Sequence, residues 1–271
     1  MITSLQNEQV KHVVSLHEKK GRNEFGEFLV EGKRFVQEAL LRKAIIRKIY
    51  YCADSDATNN ELMITIPQLI QEAEKQHTHY EEVSETVMRK MSATEEPQGI
   101  VAIVRKPIFD WQDIRIEENT ILLVIDGIQD PGNLGTILRT ALAADVTQII
   151  LTKKTVDVYN PKVLRSSMGS IFSQTIILNK TPQEVGNICR SNQCTMVVSA
   201  MDGSSIYRSD IRKDYPLALI IGNEAIGPDA FFTEKADKKY AIPMFNHVES
   251  LNASMAAGIF LYEMRRQGQF L

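Results

Sequence analysis

The chain has 271 residues, 44% of them apolar and 24% charged, with a formal net charge of −3. That length allows one or two domains with a substantial core, and the charge argues against a protein that coats nucleic acid indiscriminately. With no signal-peptide pattern, no apolar run near ~18 residues and three thiols (Cys52, Cys189, Cys194) lacking Cys-x-x-Cys spacing, the expectation is a cytoplasmic protein without a membrane span or zinc site.

The charges are unevenly spread. Residues 1–48 carry ten Lys/Arg against six Glu, a net of +4, whereas residues 54–96 carry ten acids against Lys75, Arg89 and Lys90. A basic front end on an acidic protein is either a solvated helical face or an electrostatic footprint for a polyanion. Periodicity predicts an amphipathic helix over 5–19, then a polar, basic loop Lys19-Lys20-Gly21-Arg22-Asn23. A strand at Phe28-Leu29-Val30 follows, and Gly32-Lys33-Arg34 leads into a helix through Leu41. Further on come a strand at 45–52, helices at 66–76 and 85–92, and a turn and strand at 97–104. These ~106 residues read as a small α/β domain, 1–106, with a linker over 107–120 and a second domain over 121–271.

The second domain alternates apolar strands (121–125, 148–152, 173–178, 195–200, 217–222, 239–244) with helices (133–144, 161–168, 182–192, 229–235, 251–266). Alternation of this kind predicts parallel βαβ units and a doubly wound, three-layer α/β domain. The run Ile121–Ile125 has no polar alternation, as expected of a strand buried on both faces. Asp126-Gly127 ends it, and Asp130-Pro131-Gly132-Asn133 makes a turn before a helix that Asn133 is placed to cap. Loops at the carboxyl ends of such strands are where ligands bind in open α/β sheets. This loop has neither G-x-G-x-x-G nor G-x-x-x-x-G-K-[ST], so a standard dinucleotide or nucleoside-triphosphate site is unsupported. Arg139 lies about 140° from the centre of the helix's apolar stripe, which by itself reads as a solvated side chain.

Two further stretches share this design. Leu217–Ile221 empties into Gly222-Asn223-Glu224-Ala225-Ile226-Gly227-Pro228, where Gly222 allows close backbone approach. Tyr240-Ala241-Ile242 is cut by Pro243, and a polar loop runs to Ser250-Leu251-Asn252-Ala253-Ser254, with Ser250 where an N-cap is wanted. His247 in that loop reads as an ordinary loop histidine.

Three blocks, Asp130-Pro131-Gly132-Asn133-Leu134-Gly135 with Arg139, Ile221-Gly222-Asn223-Glu224, and Ile242-Pro243-Met244 with Ser250-Leu251-Asn252-Ala253-Ser254, together resemble the SpoU (TrmH) family of RNA ribose 2′-O-methyltransferases in the SPOUT superfamily. The resemblance covers the second domain. More weakly, Phe28–Gly32 and Pro97-Gln98-Gly99 resemble the ribosomal-protein-like RNA-binding domain of members acting on ribosomal RNA.

The resemblance implies a catalytic domain with a deep C-terminal trefoil knot, and a homodimer. S-adenosylmethionine would be the methyl donor, bound without metal by Gly222, Asn223, Ile242, Met244 and Leu251. Such a site needs no phosphate-cradling loop, because this cofactor has no phosphate. Arg139 of one subunit would approach the other's cofactor, with Asn133, Glu224, Ser250 and Asn252 positioning it and the ribose. The family proposal makes the arginine a base; a guanidinium holds its proton strongly, so clamping a phosphate and favouring alkoxide character is the alternative. Lys19, Lys20, Arg22, Lys33 and Arg34 are the expected RNA contacts of the first domain. Ribosomal RNA is the expected partner, with neither DNA nor a membrane. The alternatives are a transfer-RNA methyltransferase and a non-catalytic RNA-binding or ribosome-assembly protein; a self-protecting resistance methylase would share both domains.

Overall fold

A computed structural model describes residues 1–53 and 64–268. The first part of the acidic stretch, 54–63, lies outside the described residues. The chain divides into two compact units, Met1–Pro107 with Tyr159–Leu164, and Ile108–Val158 with Arg165–Leu271.

The first unit runs α1 (Glu8–Ser15), α2 (Lys19–Phe25), β1 (Glu27–Glu31), α3 (Lys33–Leu41), β2 (Ile46–Tyr51), α4 (Ile66–Lys75), β3 (Tyr80–Glu82), α5 (Glu85–Met91) and β4 (Ile100–Arg105). Its sheet has the order β1-β4-β2-β3, with β4 antiparallel to both β1 and β2, and β3 parallel to β2. Val10 and Val13 of α1, Val87 and Met88 of α5, and Leu29 and Ile103 of the sheet share one buried cluster.

Two expectations fail here for identifiable reasons. The first helix is shorter than 5–19, starting after Asn7, whose side chain accepts from Gln9 N at 2.8 Å, and ending at Ser15. The expected basic loop 19–23 is instead the helix α2. Gly21 serves close approach: a Cβ there would lie 2.1 Å from the Ser15 carbonyl oxygen. Arg22 is buried in that fold-back, donating to the carbonyls of Leu16 (3.0 Å) and His17 (2.6 Å), which satisfies acceptors left over where α1 ends. The strand Tyr80–Glu82 carries no sequence signal because it is short and polar, held by pairing with Ile49–Tyr51.

The second unit contains β5 (Ile121–Ile125), α6 (Pro131–Ala143), β6 (Gln148–Thr152), β7 (Thr175–Lys180), α8 (Pro182–Ser191), β8 (Thr195–Ser205), β9 (Leu217–Ile221), α9 (Ala230–Lys235), β10 (Lys238–Ala241) and α10 (Ala253–Gln267); α7 (Pro161–Ser167) falls between β6 and β7 in the chain. Its six strands form a parallel sheet in the order β10-β8-β9-β5-β6-β7. Every residue of β5 and β9 is buried, as a central parallel strand requires. Leu122, Val124, Ala218 and Ile220 cluster with Val185 and Cys189 of α8 and Phe232 of α9. Strand alternation turns Leu123 and Leu219 to the opposite face, and α6 and α10 pack on each other. Arg265 ties that pair, donating to the carbonyls of Ala144 (2.8 Å) and Asp145 (2.5 Å) at the C-terminal end of α6.

The segment read as a linker contributes Phe109, Trp111, Ile114 and Ile116 to the second unit's apolar cluster. The 173–178 strand begins later, at Thr175, because Ser170–Ser173 forms a 3₁₀ turn. The last strand stops at Ala241, two residues before Pro243, which has no N–H for a ladder.

Candidate active site

The carboxyl ends of β5, β6 and β9 are bound into one platform. Asp126 follows β5 and is 4% exposed; its two carboxylate oxygens accept from Thr152 Oγ1 and from the Asp229 backbone N–H, each at 2.7 Å. Gly127 adopts φ +71°, a left-handed conformation glycine takes without a Cβ penalty. Its N–H reaches Thr155 Oγ1 at 3.1 Å, and its carbonyl accepts from Asn223 Nδ2 at 3.0 Å. In the sequence Asp126 marks only the end of an apolar run. The available signal was a carboxylate beside a glycine at the end of a wholly buried strand, since a buried charge demands partners.

Above this platform three loops meet. Asp130, not Asn133, caps α6, accepting from the Asn133 N–H at 2.7 Å, with Pro131 in the first turn. Asn133 therefore sits two residues inside the helix with its side chain free to point across. Its Nδ2 donates to Glu224 Oε1, and its Oδ1 accepts from Asn252 Nδ2 at 2.9 Å. Likewise Asn252, not Ser250, caps α10, accepting from Ser254 N (2.9 Å) and Ser254 Oγ (2.6 Å). Three residues separated by 91 and 119 positions in the chain thus form one hydrogen-bonded row, Asn252–Asn133–Glu224.

Beside the row opens a cavity of about 820 Å³. Gly222, Asn223, Ile242, Met244, Leu251 and Ser250 all line it. The Gly222 loop turns back so tightly that a Cβ would stand 2.1 Å from Pro228 N, so the turn has no room for a side chain at this position. On the other side β10 pairs with β8 in a broken register: Lys239 lies opposite Val198, but Tyr240 lies opposite Ser204. Residues 199–203 therefore bulge, and they line the cavity. The buried Tyr240 donates to Asp214 at 2.5 Å; burial, then this hydrogen bond, pushes the phenol well above its ordinary range.

Arg139 is not bonded to the row. It is exposed on α6 and, among the described residues, makes no hydrogen bond or ion pair. His247 is exposed with φ +60°. In the first unit Lys19, Lys20 and Arg34 are exposed. Arg22 (3%) and Lys33 (6%) are buried, unlike the other three expected RNA contacts, and the Arg22 guanidinium is bonded to the carbonyls at the end of α1. Among the described residues no His/Cys/Asp/Glu group is arranged to hold a metal ion.

Comparison with known proteins agrees with this architecture. Residues 120–262 match the SpoU rRNA Methylase family, and residues 7–102 match the MRM3-like substrate binding domain. A 23S rRNA (guanosine(2553)-2′-O)-methyltransferase of Bacillus subtilis is 33% identical over 264 residues, 97% of this chain and 98% of that protein. A 23S rRNA (uridine(2479)-2′-O)-methyltransferase of Streptomyces viridochromogenes is 29% identical over 255 residues, 91% of this chain and 85% of that protein. The crystal structure of an AdoMet-bound rRNA methyltransferase from Sinorhizobium meliloti superposes with a TM-score of 0.86 at 30% identity, covering 98% of this chain and 97% of that one. The chain belongs to the SpoU rRNA methylase family.

Proposed function

We infer that this chain is an S-adenosylmethionine-dependent methyltransferase of the ribose 2′-hydroxyl in ribosomal RNA, with its reaction centre at the Asn252–Asn133–Glu224 row. The observation that carries the placement is that row beside a cavity of about 820 Å³. The cavity suits the methyl donor: its volume is that of a small-molecule site, and apolar side chains with exposed backbone suit a neutral purine ring and its edge. Gly222, Asn223, Ile242, Met244 and Leu251 would hold it. When bound, S-adenosylmethionine supplies a methyl group on a sulfonium, open to in-line attack.

The chain's own residues do the rest. Asn133 and Asn252 fix Glu224 and present polar groups to the ribose, with Ser250 on the cavity wall beside them. Arg139 supplies positive charge. Because a guanidinium keeps its proton, its role is to clamp a neighbouring phosphate and favour negative charge on the attacking oxygen. Arg139, exposed and not bonded to the row of its own subunit, is available to the site of a second subunit in a homodimer built on this domain. Met255 and Tyr262, both exposed and seven residues apart on α10, give that dimer an apolar stripe. The segments around 199–203, 222–228 and 242–251 would form the family's trefoil knot.

The first unit binds the RNA, with Lys19, Lys20 and Arg34 as candidate phosphate contacts. The protein works in the cytoplasm. The two 23S rRNA relatives act on different bases, a guanosine and a uridine, so no target base is assigned.

The test is transfer of labelled methyl groups to large-subunit RNA, small-subunit RNA and bulk transfer RNA. A 2′-O-methylated nucleoside recovered from large- or small-subunit RNA is the expected result. Label on transfer RNA alone overturns the substrate, and base methylation overturns the reaction.

A further inference from the structure

We infer that Phe245 is the platform on which the base of the target nucleotide stacks during methyl transfer; this rests on the reading above. A ribose can reach a methyl donor inside a concave cavity only if its nucleotide leaves the RNA stack, which strands the base at the cavity mouth. Splayed bases are held by stacking on aromatic side chains. Among the described residues lining the cavity, the aromatic ones are Tyr240 and Phe260, and both are buried. Phe245 lies between the cavity-lining Met244 and Val248 without lining the cavity itself, and it is 77% exposed.

The loop holds it there. Asn246 and His247 take φ of +55° and +60°, a conformation L side chains rarely adopt, and the Val248 N–H closes the turn on the Phe245 carbonyl at 3.2 Å. A large apolar ring is thereby presented to solvent next to the proposed reaction centre, where no packing need explains it. The facing loop presents Ile226, 81% exposed and itself a lining residue, as an apolar rim for the same base.

The experiment compares wild type with Phe245→Ala and Phe245→Trp on the RNA fragment found in the labelling assay, and on the same fragment carrying an abasic target nucleotide. Phe245→Ala should lower kcat/KM for RNA by about ten- to a hundred-fold and leave the Kd for S-adenosylmethionine unchanged. Phe245→Trp should restore activity, and on abasic RNA wild type and Phe245→Ala should be equally slow. Unchanged kinetics in Phe245→Ala, an equal loss on normal and abasic RNA, or weaker cofactor binding each overturns the inference. Loss of the dimer in Phe245→Ala would assign the ring to a subunit contact instead. No transfer by wild type overturns the underlying reading and this inference with it.

Discussion

The two units use their polar side chains for different ends. In the first, a cluster of charges around Glu27 serves the fold. Glu27 keeps only 3% of its side chain exposed and accepts from His12 Nε2 (2.8 Å) and Arg47 (2.7 Å), while Lys48 donates to Gln9 and to Glu81. In the second, Glu224 and Asn252 are exposed yet bonded through Asn133. Water could satisfy every one of those groups, so their mutual bonds add little stability; they fix geometry. A buried polar contact is explained by desolvation, whereas an exposed one that spans three loops calls for a functional explanation.

The sharpest way to break this comparison is Arg139→Ala. Losing the unpaired charge should reduce methyl transfer by at least about a hundred-fold, with melting temperature and cofactor affinity unchanged. Mixing Arg139→Ala with a cofactor-binding variant should restore part of the activity if the arginine serves the partner's site; no recovery would place it in its own.

Gly222→Ala comes next. Its Cβ would collide with Pro228 N at 2.1 Å, so the loop must shift. We expect loss of cofactor binding by calorimetry and about 1–3 kcal/mol of destabilisation in urea. Wild-type affinity would show that this wall is not the cofactor's.

Paired substitutions then separate the two uses of polarity. Glu27→Ala strips Arg47 and His12 of a buried acceptor and should cost about 1–3 kcal/mol in urea unfolding, with kcat per folded molecule retained. Asn252→Ala removes both the Asn133 bond and the cap of α10. It should cost about 0.5–2 kcal/mol from the cap and lower kcat about tenfold or more. Asn252→Asp, which keeps the capping oxygen, should regain the stability but not the activity.

The smallest effect concerns the thiols. Burial pushes Cys189 up to about 12 and Cys194 up to about 11. The folded state thus holds these protons more tightly than the unfolded one. Stability from this source is full below the ordinary thiol range and falls as pH rises through about 11 to 12. At pH 8 iodoacetamide should leave both cysteines unlabelled until the protein is unfolded in guanidinium; rapid labelling of native protein would contradict their burial.

Much of this was legible from residue order. Unbroken apolar runs at 121–125 and 217–221 announce buried parallel strands, and the polar residues after them mark the loops that meet at the site. The caps were not legible. Asp130 and Asn133, or Ser250 and Asn252, are chemically equivalent candidates, and only backbone geometry decides which one closes the helix. The basic residues near the start were also ambiguous, because Arg22 and Lys33 look like Lys20 and Arg34 in the sequence yet are buried in the fold. The short strand Tyr80–Glu82 exists through its partner, and the bulge 199–203 through a register shift, so neither leaves a local pattern.

In the proposed function the cavity and the row form one methyl-transfer site served by Arg139. The most direct measurement pairs cofactor calorimetry with labelled methyl transfer to ribosomal RNA for wild type and Arg139→Ala. The account predicts equal cofactor affinity in both proteins, a 2′-O-methylated nucleoside from wild type, and at least a hundred-fold less from the variant. Undiminished transfer by Arg139→Ala, or no cofactor binding by wild type, would contradict it.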